Sequence, residues 1–337
     1  MLEPPALDPA VLIAGLQRDY GLQVIVLEFL PIGVDSAAAV YRAVDDAGAP
    51  YFVKLRRGPF DEIVVALPAY LRGQGIKEIV APLPTLTGQL HVNMDAFTVV
   101  LYPFVAGRNG YEVALTPQQW AEFGVALRQL HTTRIPPTLR GRIPREQFSS
   151  RWGAEVVRHL DLVACTTFAD PAAAELAAFL RSRRGEVLDL VGRASRYGDL
   201  LRARTLEYVV CHADIHAGNL LVAEGGALYI VDWDNPILAP RERDLMYIGG
   251  GQGFVGCSPE DEAVLFYRGY GPAEVDPVAV AYYRYARIVE DIAIFSTELL
   301  ESEAGGADRA QSLRYLQSNF LPGGTIARAH AADHARA

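Results

Sequence analysis

The sequence predicts an α+β chain built in two parts: a small, mostly antiparallel β-sheet with one inserted helix, then a larger, mainly helical portion. Three observations carry that expectation. Apolar, β-branched runs separated by short polar turns recur between residues 24 and 103. From about residue 116 the apolar positions take the helical spacing instead. Between the two lies Val105-Ala-Gly-Arg-Asn-Gly110, turn chemistry directly after a strand, which marks the boundary.

Taken in order, residues 9–20 carry apolar side chains at helical intervals, with Pro9 suited to a first turn and Gly21 to the stop. Residues 24–30, 37–44 and 51–55 read as successive strands, joined by a turn at 31–36 and a hairpin loop at 45–49. A helix is expected over 60–73, interrupted near Pro68, which lacks the N–H that the helix ladder uses. Two further strands fall around 90–92 and 97–103. Thr116 and Pro117 open a helix over 118–131, whose Trp120, Phe123, Leu127 and Leu130 form one apolar stripe. Residues 146–204, rich in Ala, Leu and Arg, supply three helices. A short β unit occupies 206–243, helices return over 258–320, and the chain from Gly323 reads as a frayed tail.

With 337 residues the chain is long enough to bury a substantial core in two lobes. Hydrophobic residues make up 50% and charged residues 21%, the balance of an ordinary globular protein. No apolar run reaches the roughly 18 residues of a membrane span. The opening Met-Leu-Glu-Pro-Pro lacks the basic flank and apolar stretch of a signal peptide. Cys165, Cys211 and Cys257 are too scattered for a disulfide framework or a CxxC metal pair. A cytoplasmic protein is therefore expected. The net charge of −9 argues against a nucleic-acid partner and is compatible with a cationic ligand. Of 31 basic residues only Lys54 and Lys77 are lysines. The base composition of the gene accounts for that bias, but a compact ammonium does chemistry that a planar guanidinium does not.

The chemistry gathers in residues 206–243. Two apolar runs, 208–211 and 228–231, each deliver polar residues at their C-terminal ends: His212, Asp214 and Asn219 after the first, Asp232 and Asp234 after the second. One carboxylate in such a layout can orient an attacking hydroxyl and accept its proton. An amide and a second carboxylate can hold magnesium on nucleotide phosphates. Singly, each residue is equally well explained by an Asx turn at a strand end. The spacing His-x-Asp-x-x-x-x-Asn, followed by Ile-Val-Asp, is what favours chemistry.

His212-Ala-Asp214-Ile-His216-Ala-Gly-Asn219 resembles the catalytic loop of the aminoglycoside phosphotransferase and choline kinase group, relatives of protein kinases. Val231-Asp232-Trp233-Asp234 resembles the magnesium motif that follows it there. The resemblance implies a bilobal, protein-kinase-like fold. Its nucleotide-binding lobe would span 1–104 with a hinge at about 101–107, its catalytic and substrate-binding lobe 108–325, and a flexible tail 326–337. It implies Asp214 as catalytic base, Asn219 and Asp232 as Mg2+ ligands, and ATP as the nucleotide, with GTP as the alternative. Lys54, in Tyr51-Phe-Val-Lys-Leu55, takes the place of the phosphate-binding lysine; the alternative is an exposed strand lysine. Glu62 is the expected ion-pair partner of Lys54, with neighbouring Asp61 also open. Gly33 and Ser36 take the place of the glycine-rich loop, which here has one glycine where protein kinases have three. Tyr102 and Phe104 lie at the hinge that would read adenine. His212, His216 and Asp244 are expected to support the loop rather than react.

Further stretches extend the resemblance. They are Gly75-Ile-Lys-Glu-Ile79, Leu127-Arg-Gln-Leu-His131, Leu238-Ala-Pro-Arg-Glu-Arg-Asp-Leu-Met246, Ile248-Gly-Gly-Gly and Arg287-Ile-Val-Glu-Asp-Ile-Ala293. Over most of residues 1–320 the chain is similar to the spectinomycin phosphotransferases, the aminoglycoside 9-phosphotransferases. This implies transfer of the ATP γ-phosphoryl group to a hydroxyl of a cationic aminocyclitol, conferring resistance. Asp234, Glu290 and Asp291 would then face the amines of the substrate. The plainer alternative pairs Glu290 and Asp291 with Arg284 or Arg287 one turn earlier, and Asp234 with a structural arginine.

The nearest rival is a kinase of another small hydroxyl compound, of choline, homoserine or sugar type. A nucleotide-binding regulator without catalysis is disfavoured by the joint presence of Lys54, Asp214, Asn219 and Asp232. Protein-kinase activity is disfavoured because no segment ending in Ala-Pro-Glu follows Asp232. Gly73-Gln-Gly-Ile-Lys77 runs into Glu78 without the Ser or Thr of a Walker loop, and the glycines of 249–253 read as a turn. No nucleic-acid, membrane or obligate protein partner is expected.

Overall fold

The computed structural model describes residues 3–33, 37–149, 151–249, 255–302 and 306–334. Ser36 and most of the 249–253 glycine turn lie outside the described residues. Helix α1 (Pro9–Tyr20) starts where the Asp8 side chain accepts the Ala10 N–H and Pro9 supplies a preset φ. It stops at Gly21, in the left-handed region at φ 73°. The helix packs on a five-stranded antiparallel sheet of β1 (Val24–Leu30), β2 (Ala38–Asp45), β3 (Pro50–Arg57), β4 (Val92–Met94) and β5 (Phe97–Pro103). The spatial order is β1-β2-β3-β5-β4. β3 is central, and Lys54 stands opposite Val40 of β2 and Val100 of β5. Alternation sends Val53 and Leu55 into a core with Leu12, Leu16, Tyr41, Val99 and Leu101, and so turns Lys54 to the opposite face.

Helix α2 (Ile63–Gly73) runs unbroken through Pro68, where the sequence predicts an interruption. Pro68 is buried beside Leu67 and Leu71, and the packing of that face offsets the single lost ladder bond. Ile63, Leu67 and Leu71 join the core of the helical portion rather than that of the sheet.

β6 (Gly107–Asn109) leads away from the sheet. Helix α3 (Pro117–Thr132) opens with a capping box between Thr116 and Gln119, and its stripe of Trp120, Phe123, Leu127 and Leu130 is buried as expected. After the single turn α4 (Pro137–Arg140), the three helices expected of residues 146–204 are α5 (Arg151–Cys165), α6 (Pro171–Ser182) and α7 (Arg184–Arg202). The β unit comprises β7 (Val209–Cys211), β8 (Leu220–Ala223), β9 (Leu228–Ile230) and β10 (Ile237–Ala239). β7 pairs with β10, while β6 extends the β8–β9 hairpin to three strands. A Cβ at Gly107 would run into the Val222 carbonyl, so this close crossing requires glycine.

Helices α8 (Glu242–Leu245), α9 (Pro259–Tyr270), α10 (Pro277–Glu301), α11 (Gly306–Ser318) and α12 (Thr325–His334) complete the chain. The 25-residue α10 packs against α5, α7, α11 and α12. The expected frayed tail is corrected here: residues 325–334 are helical, and Ile326 and Ala329 are buried in the large core. Polar spacing hid an apolar face that packs on α10. Among the described residues, no helix is long and apolar enough to cross a membrane.

Candidate active site

The loop after β7 turns through Ala213 at φ 70°, and the segment after β9 turns through Asp232 at φ 65°. A left-handed backbone costs an L-residue roughly 1–2 kcal/mol, so the loop must be braced. Asp244 braces it. Its fully buried carboxylate accepts the His212 N–H at 3.0 Å, the Ala213 N–H at 2.7 Å and a contact from His131 Nε2 at 3.0 Å. His131 Nδ1 in turn meets the Tyr270 hydroxyl at 2.8 Å. Burial pushes the Asp244 carboxyl up, but the His131 contact and the Ala213 N–H outweigh it and hold the group below the usual carboxylate range.

The two loop histidines are also engaged. His212 is buried, donates from Nε2 to the Val231 carbonyl at 2.9 Å, and sets its ring edge against Trp233. Its Nδ1 accepts the Asp214 N–H at 3.3 Å. His216 accepts the Gly218 N–H at Nδ1, stacks on Tyr111, and places Nε2 3.8 Å from Asp214 Oδ1. Burial pushes its pKa down.

Lys54 reaches the two carboxylates of the second segment. Its Nζ lies 2.8 Å from Asp232 Oδ1 and 2.8 Å from Asp234 Oδ1. Burial alone would lower the ammonium's pKa, but Asp232 and Asp234 more than reverse it. Asp232, pulled down chiefly by Lys54, stays below the carboxylate range. Arg56 donates to Asp234 Oδ2 at 2.9 Å, so Asp234 is held by two cations of β3. The expected Lys54–Glu62 pair is corrected: Glu62 is 56% exposed and pairs with Arg142 at 3.0 Å. The cause is the packing of α2, whose apolar face turns toward the helical core. Asp61 caps the Ile63 N–H instead.

Asp214 lies within the same part of the loop. Its Oδ1 accepts from Arg287 Nη1 at 2.6 Å and lies 3.3 Å from the Tyr247 hydroxyl. Burial raises its pKa, but Arg287, His216 and His212 bring it below the usual range. Arg287 also donates from Nε to Asp291 at 2.9 Å, and Arg243 lies 3.9 Å from Glu290. The plain salt-bridge alternative therefore describes Asp291, and Glu290 too has an arginine neighbour.

The phosphotransferase enzyme family matches residues 28–288 of this sequence. The chain belongs to that family. It is similar to a crystal structure of spectinomycin phosphotransferase APH(9)-Ia in complex with ADP and spectinomycin, at 35% identity and a TM-score of 0.89. That match covers 98% of this chain and 99% of the other. An AMP-bound complex of the same enzyme is 36% identical with a TM-score of 0.84, covering 95% and 97%. By sequence, Protein StrN of Streptomyces griseus is 24% identical over 290 residues, 84% of this chain and 82% of its own length. The chain is thus a phosphotransferase, with the α+β, kinase-like fold that its sequence predicts.

In this phosphotransferase, Gly33 occupies φ 90°, open to glycine alone without strain. Tyr102 packs edge-on against Phe52, and Phe104 lies under the Arg42 guanidinium. Asn219 and Asp232 carry oxygens that could hold a metal. Asn219 Nδ2 is committed to the Asp214 carbonyl at 2.8 Å, while among the described residues no donor meets Asn219 Oδ1 or Asp232 Oδ2. An amide oxygen and a carboxylate oxygen are the ligands a hard cation takes.

The sequence reading missed Arg56, Tyr111 and Tyr247, and saw Arg287 only as a helix partner. Arg56 was within reach: two residues after Lys54 on one strand, it shares its face. The contact of Arg287 with Asp214, 73 positions away, has no local signal.

Proposed function

We propose that the protein transfers the γ-phosphoryl group of ATP to a hydroxyl of an aminocyclitol, spectinomycin foremost, and thereby inactivates it. The observation that carries this reading is the joining of Lys54 to Asp232, which brings the β3 lysine onto the segment beside Asp214 and Asn219. The similarity to an enzyme crystallised with ADP and spectinomycin supports the acceptor. Residues 1–104 would form the nucleotide lobe, with a hinge over 101–107, and residues 108–325 the catalytic and substrate-binding lobe.

Asp214 orients the acceptor hydroxyl and takes its proton as the phosphorus–oxygen bond forms. Lys54 meets the nucleotide phosphates, and Tyr102 and Phe104 border the base. Magnesium, held by Asn219 and Asp232, would neutralise the charge that develops on the phosphate oxygens. Asp234, together with Asp232, orients Lys54. With Glu290 and Asp291 already beside arginines, a less cationic acceptor of sugar type is the second reading.

The test is ADP release by the purified protein with Mg-ATP against spectinomycin, other aminocyclitols, choline, homoserine and free sugars. Turnover confined to spectinomycin and its close relatives is expected. Turnover confined to choline, homoserine or sugars overturns the acceptor.

A further inference from the structure

We propose that Arg287 is a positioning residue for Asp214, itself anchored by Asp291, and that this carboxylate–guanidinium–carboxylate chain sets which oxygen of Asp214 meets the acceptor hydroxyl. The inference rests on the reading of Asp214 as proton acceptor. α10 supplies the geometry. Arg287 and Asp291 stand one turn apart on one helix face, with Arg287 Nε 2.9 Å from Asp291 Oδ1. Nη1 of the same guanidinium meets Asp214 Oδ1 at 2.6 Å. A guanidinium holds its donors in one rigid plane, so fixing Nε on Asp291 also fixes where Nη1 lies.

The other neighbours reinforce the same choice. The Tyr247 hydroxyl lies 3.3 Å from Oδ1 and His216 Nε2 lies 3.8 Å from it. Three groups therefore converge on Oδ1, and among the described residues no donor reaches Asp214 Oδ2. A carboxylate clamped through one oxygen keeps the other in a constant position for an incoming hydroxyl. In a loose phosphoryl-transfer transition state the base acts mainly by orientation, so a misplacement of about 1 Å costs on the order of 10²-fold in rate. Asp291 then serves the base, not an amine of the substrate.

The test compares the wild-type full chain with Arg287→Gln, Arg287→Lys, Asp291→Asn, Arg287→Gln/Asp291→Asn and Asp214→Asn. Spectinomycin phosphorylation and acceptor-free Mg-ATP hydrolysis are both followed, with ADP affinity by titration. Arg287→Gln is expected to lower kcat about 100-fold in both reactions, with ADP affinity and KM for ATP changed less than about threefold. Arg287→Lys recovers only part of the rate, because one ammonium cannot reproduce two in-plane donors. Asp291→Asn lowers kcat about tenfold, and the double variant is no worse than Arg287→Gln alone, since both break one chain. A kcat for Arg287→Gln within threefold of wild type, a loss confined to KM, or full additivity in the double variant overturns the proposal. Should Arg287→Gln fail to fold, Asp291→Asn carries the same comparison. A wild type that hydrolyses ATP but ignores spectinomycin overturns only the acceptor, and an unimpaired Asp214→Asn overturns the base itself.

Discussion

Replacing Asp244 with alanine should damage both the fold and the loop, for reasons that can be worked from its contacts. The carboxylate is wholly buried and accepts from the N–H groups of His212 and Ala213 and from His131. Alanine would leave two buried backbone donors unsatisfied, at about 1–3 kcal/mol each, and unpair His131. Together these losses come to about 3–5 kcal/mol, the cost of breaking a buried, hydrogen-bonded pair. At about 2 °C per kcal/mol for a chain of this size, the melting temperature should fall by roughly 6–10 °C. Because Ala213 sits at φ 70° directly before Asp214, kcat should fall on the order of 10²-fold as the loop relaxes. Calorimetric melts and steady-state kinetics read both effects. The carboxyl of Asp244 titrates below its ordinary value in the fold, so its stability contribution is present above the unfolded pKa of about 3.9 and is lost as pH falls through the folded value. The melting difference between wild type and Asp244→Asn should therefore be full at neutral pH and narrow below about pH 4. An alanine variant melting within 2 °C of wild type, or a difference that does not shrink in acid, would refute this account of the brace.

Two other predictions separate the β3 lysine from its expected partner. Lys54→Arg should lower kcat by on the order of 10²-fold although it keeps the charge, because a planar guanidinium cannot place one compact donor between Asp232 and Asp234; an unaffected rate would remove Lys54 from the site. Glu62→Ala should change kcat less than about threefold and stability by under about 1 kcal/mol, as its pairing with Arg142 is exposed. A loss matching that of a Lys54 variant would restore Glu62 as the orienting carboxylate.

Local rules read much of this molecule. The start of α1 at Pro9 and its stop at Gly21, the opening of α3 at Thr116 and Pro117, the strand β3 and the stripe of α3 are all set by residues within a few positions of one another. The polar residues at the ends of β7 and β9 were legible for the same reason, since strand ends present them whatever the rest of the chain does. Pro68 misled because a buried face offset a local penalty, and the tail misled because its buried residues pack against the distant α10.

What the sequence by itself determined was the set of candidate groups: Lys54 on a third strand, and Asp214, Asn219, Asp232 and Asp234 on two turns. What only the tertiary structure decided was which charges meet. Lys54 joins Asp232 and Asp234 rather than Glu62, Arg287 joins Asp214 as well as Asp291, and Asp244 closes on the backbone of the loop. Helical and strand periods constrain neighbours three or four positions apart. Ion pairs between residues 73 or 178 positions apart depend on how α2, α10 and β3 bury their apolar faces, because that packing places the charges they carry.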